Sequence, residues 1–367
     1  MKKKTQQIYT IIVAAVLVFG LSVFAVLKPA TDFSESERRP LEQLPELSVK
    51  TLLNGDFMDN FENYTNDQFP MRESFRAVKA LAKYYLFGLS DNNELYFTNG
   101  HIAKLDFPID QDSLDYAAER FENLYSTYME GKVNKVVFTV VPDKGFYLGN
   151  ENGYPTMDYD YLFGFFEYQL PFAEYVDIYM QLDEDDYYFT DTHWQQQSIT
   201  DAAEKILTFL EARPFENFEE KVATEEFYGV YFGQSALPLK PEKITYLTND
   251  ELDSMTVFNY ETGKETGIYN FEKLESKDPY EFYLSGSTSI LEVTNPNAEG
   301  DRHLIIFRDS FGSSIAPLLM RDYSKITLID TRYILPNLIG NYVDFEGADV
   351  LMLYSSLVLN DSYLLKK

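Results

Sequence analysis

Hydrophobic positions along this chain change their period from one stretch to the next, and each period predicts a different element. Residues 8–27 form an apolar run without a charged side chain, about the length a helix needs to cross the hydrocarbon core of a bilayer. Residues 32–48 are polar and proline-marked and read as a tether. Over 49–87 the apolar residues recur at helical spacing, first Leu52, Leu53, Phe57 and Phe61, then Phe75, Val78, Leu81, Ala82 and Tyr85. Asp67-Gln68-Phe69-Pro70 breaks the two helical stretches apart. Residues 94–105 place β-forming side chains on both sides of Asn99-Gly100, a dipeptide suited to a tight hairpin.

Beyond the hairpin, helical and strand patterns alternate, which predicts an α/β domain with a parallel sheet flanked by helices. Helices are expected over 112–130 and 194–212, and strands over Lys135–Val141, 175–182, 303–307, Lys325–Ile329 and 350–354. These strands are apolar runs rather than alternating ones, as suits strands covered on both faces. Between 215 and 297 the pattern breaks into short β-like pieces with turns at Glu261-Thr262-Gly263-Lys264 and Ser285-Gly286-Ser287. This stretch predicts a β-rich insertion over the sheet. The expected organisation is therefore 1–30 as membrane anchor or signal segment, 31–90 as tether and N-terminal helices, and 91–367 as the α/β domain with its insertion at 215–297.

Charge narrows the partners. With 31 basic and 59 acidic residues the net charge is −28, which repels nucleic acid and anionic lipid surfaces alike, so that a polyanion would have to approach through a local basic pocket. The chain has no cysteine, so disulfides, thiolate metal sites and thiol nucleophiles are excluded. The carboxylate run Asp183-Glu184-Asp185-Asp186 lacks the glycine-turned spacing of a calcium loop and reads as a solvated face. No metal and no cofactor is expected. Lys2, Lys3 and Lys4 precede the apolar run and only Lys28 follows it closely, a bias that keeps the N-terminus cytoplasmic and sends the rest outside. The alternative is a signal peptide cleaved near Ala25 or Ala30, which also exports the domain.

Two short windows carry the chemistry, Thr190-Asp191-Thr192-His193-Trp194 and Arg308-Asp309-Ser310-Phe311-Gly312. Ser310 follows an apolar strand and precedes a helical pattern over 313–323, so its own N–H and that of Gly312 are candidate oxyanion donors. The plainer reading makes Ser310 a helix cap. Residues two apart point the same way in extended chain, so Asp191 can orient His193 while the other ring nitrogen takes the serine proton. Against this, Thr192 and Gln195 fit a capping box. Of His101, His193 and His303, only His193 has a carboxylate two residues away at an expected element boundary. Lys144, Arg332 and Tyr354 sit at strand ends and are candidates for holding substrate or oxyanion. Trp194 is a candidate floor for a sugar, where core packing is the ordinary reading.

Together with Ser36-Glu37-Arg38-Arg39-Pro40-Leu41, Asp67-Gln68-Phe69-Pro70-Met71-Arg72 and Val141-Pro142-Asp143-Lys144, these windows resemble the bacterial DHHW proteins. Those are similar to the alginate O-acetyltransferases with an SGNH-hydrolase-like domain, and the resemblance runs from residue 33 to residue 356. It implies an SGNH-hydrolase-like sheet with Asp191, His193 and Ser310 as the triad. It further implies a membrane-tethered O-acetyltransferase outside the cytoplasm that acts on a cell-surface or secreted polysaccharide. The acyl group would come from a membrane-bound O-acyltransferase partner. A carbohydrate O-acetyl esterase using the same residues and a non-catalytic surface scaffold are the alternatives. The chain departs from the family at Arg308, where relatives commonly carry glycine, and at Thr192, where the name-giving motif has histidine.

Overall fold

A computed structural model describes every residue except Met1 and Glu35 and divides the chain into two units. The first comprises Met1–Asn92 with Phe232–Pro238, the second Asn93–Tyr231 with Leu239–Lys367.

In the first unit, helix α1 (Lys2–Leu27) covers the apolar run. Among the described residues no single helix is long and apolar enough to cross a membrane, but Lys4–Val16 and Phe19–Leu27, inclined by 41°, pass that test together. Two short strands, β1 (Phe33–Ser34) and β2 (Arg39–Pro40), pair antiparallel, and helices α2 (Val49–Leu53), α3 (Asp56–Asp67) and α4 (Arg72–Leu81) follow. Charge pairing and side-chain hydrogen bonds explain why the stretch predicted as a tether is fixed at Thr31 and over residues 36–42. Arg39 forks onto Asp67 at 2.6 and 2.8 Å, Arg72 reaches Glu37 at 2.5 Å and Arg76 reaches the other Glu37 oxygen at 3.3 Å. The Gln68 amide holds both the N–H and the carbonyl of Thr31.

The second unit opens with the hairpin of β3 (Leu95–Thr98) and β4 (His101–Lys104), whose turn residues Asn99 and Gly100 both have positive φ, as a two-residue hairpin loop requires. Helix α5 (Gln111–Leu124) precedes β5 (Lys135–Val141), and α6 (Lys144–Leu148) and α7 (Tyr159–Gln169) precede β6 (Glu174–Tyr175). Helix α8 (Thr200–Phe209) leads to β7 (Glu219–Phe227), β8 (Glu242–Thr248), β9 (Thr256–Asn259), β10 (Lys264–Thr266) and β11 (Ile290–Thr294). Strands β12 (His303–Arg308), β13 (Lys325–Ile329) and β14 (Asp349–Ser355) complete an eight-stranded sheet of order β10-β9-β11-β13-β12-β14-β5-β6.

The fold is thus mixed α/β, and the sheet is parallel only from β13 to β6. Strands β11, β9 and β10 extend it antiparallel. The parallel expectation holds from β13 to β6 and not for the β11-β9-β10 edge, and connection length is the reason at β9 and β10: they are joined by a tight turn, which cannot carry the crossover a parallel pair needs. Of the stretch 215–297, only β7 and β8 form a separate pair. Strands β9, β10 and β11 join the sheet instead of lying over it, and 3-10 turns at Phe271–Glu275 and Pro279–Phe282 lie between β10 and β11. Alternate residues of the parallel strands feed two cores. Val137, Leu304, Ile306 and Leu351 pack with α8 on one face, while Phe138, Ile305, Phe307 and Met352 pack with α5 and α7 on the other.

Three elements are shorter than their patterns predict. The strand expected over 175–182 pairs only at Glu174–Tyr175 and turns into a 3-10 helix at Tyr179–Gln181. The helix expected over 194–212 begins at Thr200, because Trp194 bridges back to Tyr187 and the Gln195 N–H is spent on the Asp186 carbonyl. The helix expected over 313–323 is Gly312–Ile315 continued by a 3-10 turn, Ala316–Leu319. Pro317, without an N–H, cannot extend the α pattern.

Hydrogen bonds from Arg39 hold the Asp67 carboxyl below its ordinary 3.8, against the opposing effect of burial. A carboxyl with a depressed folded pKa contributes above the unfolded value and loses that contribution as pH falls through the folded one. Asp67→Ala is therefore expected to cost about 1–3 kcal/mol at pH 7, measured by urea unfolding. The difference from wild type should shrink on acidification below about pH 4.

Candidate active site

Parallel pairing brings the C-terminal ends of β12, β14 and β5 side by side, and a set of short hydrogen bonds ties the turns that leave them. Asp309, fully buried, accepts from the Phe311 N–H at 3.0 Å with one oxygen and from the Ser355 N–H at 2.7 Å with the other. The serine turn is thereby pinned to the end of β14. Ser356 donates to Asp143 at 2.8 Å and accepts from the Asp143 N–H at 3.0 Å, which links β14 to β5.

Against this edge lies the loop 186–195, and here the three side chains of the sequence windows meet. His193 Nδ1 is 2.5 Å from Asp191 Oδ1, and His193 Nε2 is 2.7 Å from Ser310 Oγ. Ionised Asp191 can only accept, so Nδ1 carries the proton and Nε2 presents its lone pair to the hydroxyl. Asp191 is fully buried and compensated: Oδ1 also accepts from the His193 N–H at 3.0 Å, and Oδ2 from the Val230 N–H at 2.8 Å. That last contact depends on Gly229, because a Cβ there would stand 2.3 Å from the Thr190 carbonyl oxygen and 2.4 Å from the Asp191 nitrogen.

The segment just before Asp191 is gripped from both sides. Lys144 Nζ donates to the carbonyls of Tyr188 and Phe189 at 2.9 and 3.3 Å. Glu242 accepts from the N–H groups of Phe189 and Thr190 and from the Thr190 hydroxyl at 2.5, 2.7 and 2.5 Å. Burial pushes Lys144 down to about 7, although the carboxylates of Glu242, Asp191 and Asp143 pull the other way. Burial likewise raises Glu242, against its hydrogen bonds from Thr190 and Phe189. Lys144 is thus a buried clamp rather than a solvated loop lysine.

The imidazole is held flat by Tyr280, whose ring stacks on it with centroids 3.8 Å apart and planes 6° from parallel. The Tyr280 hydroxyl lies 2.7 Å from Ser314 Oγ, which also accepts from Trp194 Nε1 at 2.8 Å. Trp194 is fully buried and packs edge-on against Phe311. It is core packing beneath the histidine, and the expectation of a sugar floor is corrected accordingly.

The remaining candidates are also accounted for. The Gly312 N–H is engaged by the Asp309 carbonyl at 3.2 Å, so it is not aimed at an oxyanion, whereas the Ser310 N–H carries no hydrogen bond among the described residues. Gly312 makes room for Arg308 instead, since a Cβ would meet Arg308 Cβ at 2.6 Å. Arg308, itself fully buried, donates to the Gly286 carbonyl and to Ser313 Oγ at 2.9 and 3.1 Å. Tyr354 is buried against Phe121 with its hydroxyl 3.2 Å from Thr331 Oγ1, and Arg332 forks onto Asp330. Neither is brought to Ser310. A cavity of about 540 Å³, lined by Phe189, Thr190, Gln195, Lys240 and Glu242, adjoins the segment that carries Asp191.

Sequence reasoning missed Tyr280, Glu242 and Gly229. All three lie in the stretch 215–297, and each acts through a partner remote in the chain, which leaves no local pattern. Ser314 was within reach, four residues after Ser310, but its role depends on Trp194.

No family model and no curated protein matches the sequence. Solved structures do share the fold. A DHHW family protein from Eubacterium siraeum aligns with a TM-score of 0.60 at 20% identity, over 76% of this chain and 97% of that one. PatB1 of Bacillus cereus, with a sulfonyl adduct, aligns with a TM-score of 0.58 at 17% identity, over 74% of this chain and 98% of that one.

Gly229→Ala is expected to push the 190–191 backbone aside and cost about 1–3 kcal/mol, read by thermal unfolding. Lys144 gives a prediction in pH. Folded, it releases its proton near 7 in place of 10.5, so between those values the unfolded chain holds a proton the folded chain lacks and stability rises with pH. Wild type should gain on Lys144→Met as pH is raised from 7 to 10. Parallel melting profiles for the two proteins would remove the buried-lysine account.

Proposed function

We propose that this chain is an O-acetyltransferase of the DHHW kind, with an SGNH-hydrolase-like domain at 91–367, that works outside the cytoplasm on a cell-surface or secreted polysaccharide. The observation that carries the reading is the unbroken hydrogen-bonded chain from Asp191 through His193 to Ser310. The motif resemblance and the fold shared with the two solved structures support it. Residues 1–30 are read as the membrane anchor and 31–90 as the segment joining it to the domain. Lys2, Lys3 and Lys4 ahead of the apolar run support that orientation.

In this mechanism His193 Nε2 takes the proton of Ser310 as Oγ attacks the carbonyl carbon of a donor ester. The tetrahedral oxyanion is met by the Ser310 N–H. Collapse breaks the bond between acyl carbon and donor oxygen, and His193 returns the proton to the departing alcohol. A sugar hydroxyl then gives its proton to Nε2 and attacks the acyl-serine, and Ser310 leaves with the proton. Asp191 remains ionised throughout, holding the Nδ1–H tautomer and balancing the imidazolium. The donor ester is assigned to a membrane-bound O-acyltransferase partner.

A sulfonyl fluoride tests the nucleophile. The full-length protein is expected to gain one sulfonyl group, mapped by mass spectrometry to Ser310, and Ser310→Ala to gain none. Asp191→Asn should lower acyl turnover by about 10³–10⁴-fold, together with a lower melting temperature, since the amide replaces one of the two buried acceptor oxygens. Absence of any adduct on wild type would leave only the scaffold reading. Turnover of an activated acetyl ester that yields acetate alone, whatever oligosaccharide is supplied, would move the assignment to an esterase.

A further inference from the structure

Helix α4 and the π-helical turn that continues it, Ala82–Leu86, present a largely exposed apolar face, on which Phe69 packs edge-on against Phe75. Met71, Phe75, Val78, Tyr85, Leu86 and Leu89 follow one another along it, with Phe75 48%, Val78 63%, Tyr85 71% and Leu86 74% exposed. The opposite side carries Ala80, which is fully buried, and Ala77 and Tyr84, which are partly so. The helix therefore buries mainly alanine, with Tyr84 beside it, while most of its large apolar side chains are exposed, the reverse of what a water-exposed helix shows.

Charge on the same segment distinguishes the occupant. Residues 72–86 contain Arg72, Arg76, Lys79 and Lys83 against the single acidic residue Glu73, in a chain whose net charge is −28. At 100° per residue the four cations fall together along one edge of the apolar arc. Arg72 and Arg76 are held by Glu37 and Glu73, whereas Lys79 and Lys83 have no ion pair among the described residues. The net charge of the chain opposes a second copy and an anionic surface alike at long range, so the occupant is decided by the local chemistry of this face. An apolar arc bordered by cations is complementary to a bilayer surface that carries anionic headgroups, and this unit also contains the apolar run 8–27.

We propose that the exposed face of 71–89 lies on an anionic lipid surface, giving the first unit a membrane contact separate from its N-terminal segment. The proposal rests on this face alone and is independent of the acyl-transfer chemistry.

The absence of cysteine makes the test direct. Val78→Cys in the full-length protein is labelled with an environment-sensitive fluorophore and reconstituted into vesicles of phosphatidylcholine and phosphatidylglycerol. Lys264→Cys, exposed on β10, serves as control. A blue shift and quenching by lipids bearing a shallow nitroxide are expected at 78 and not at 264. Adding Lys79→Glu and Lys83→Glu should reduce the docked fraction by about tenfold at low salt. Protein that sediments with the vesicles but shows no shift at 78 would retain the anchor and overturn the docking. A blue-shifted emission before lipid is added would mean that protein, not lipid, covers the face, and would overturn it as well.

Discussion

A carboxylate without access to water is tolerable only if donors replace the solvent, and the site is organised around meeting that demand at Asp191. Its oxygens take the His193 N–H, the His193 ring proton and the Val230 N–H. Two of these come from its own extended turn and one from a backbone that approaches only because residue 229 has no side chain. The same bonds that neutralise the buried charge aim the imidazole. Stability and alignment at this position are therefore one property, and a change that loosens either loosens both.

Around that point the supporting groups divide by what they hold. Lys144 and Glu242 grip the carbonyl and amide sides of 188–190, Tyr280 keeps the imidazole plane, and Asp309 ties the serine turn to β14. Each is buried or partly buried, and each makes contacts across the chain instead of along it. Arg308 belongs to this set. It stands where the family resemblance leads one to expect glycine, and the glycine at 312 supplies the space that its side chain needs. The turn thus accommodates a buried guanidinium, satisfied in part by the Gly286 carbonyl and Ser313.

The first unit is held by a different kind of force. Arginine–carboxylate pairs join 37–39 to 67–76, and few large apolar side chains are buried there. Its apolar residues face outward on α4, so the unit is stabilised by ion pairs while its hydrophobic surface stays available. That division gives two motifs, Ser36 to Leu41 and Asp67 to Arg72, a structural role within the first unit.

Much of this was legible in the residues alone. Apolar runs marked β5 and β13 at their observed bounds and β12 and β14 within a residue or two, because strands covered on both faces must be apolar throughout. Asn99-Gly100 specified the hairpin, and the Asp-x-His spacing brought Asp191 to His193, since both signals act over a few bonds. What the chain by itself could not determine is what lies opposite. Ser310 reaches His193 across 117 positions, and Tyr280, Glu242 and Gly229 meet the loop from the stretch that read only as short β pieces. The truncated helix before Thr200 has the same origin: its residues had helical spacing, but their hydrogen bonds were claimed by 186–187. Local periodicity records which face a residue turns to the core. Only the folded sheet edge decides which distant side chain is waiting there.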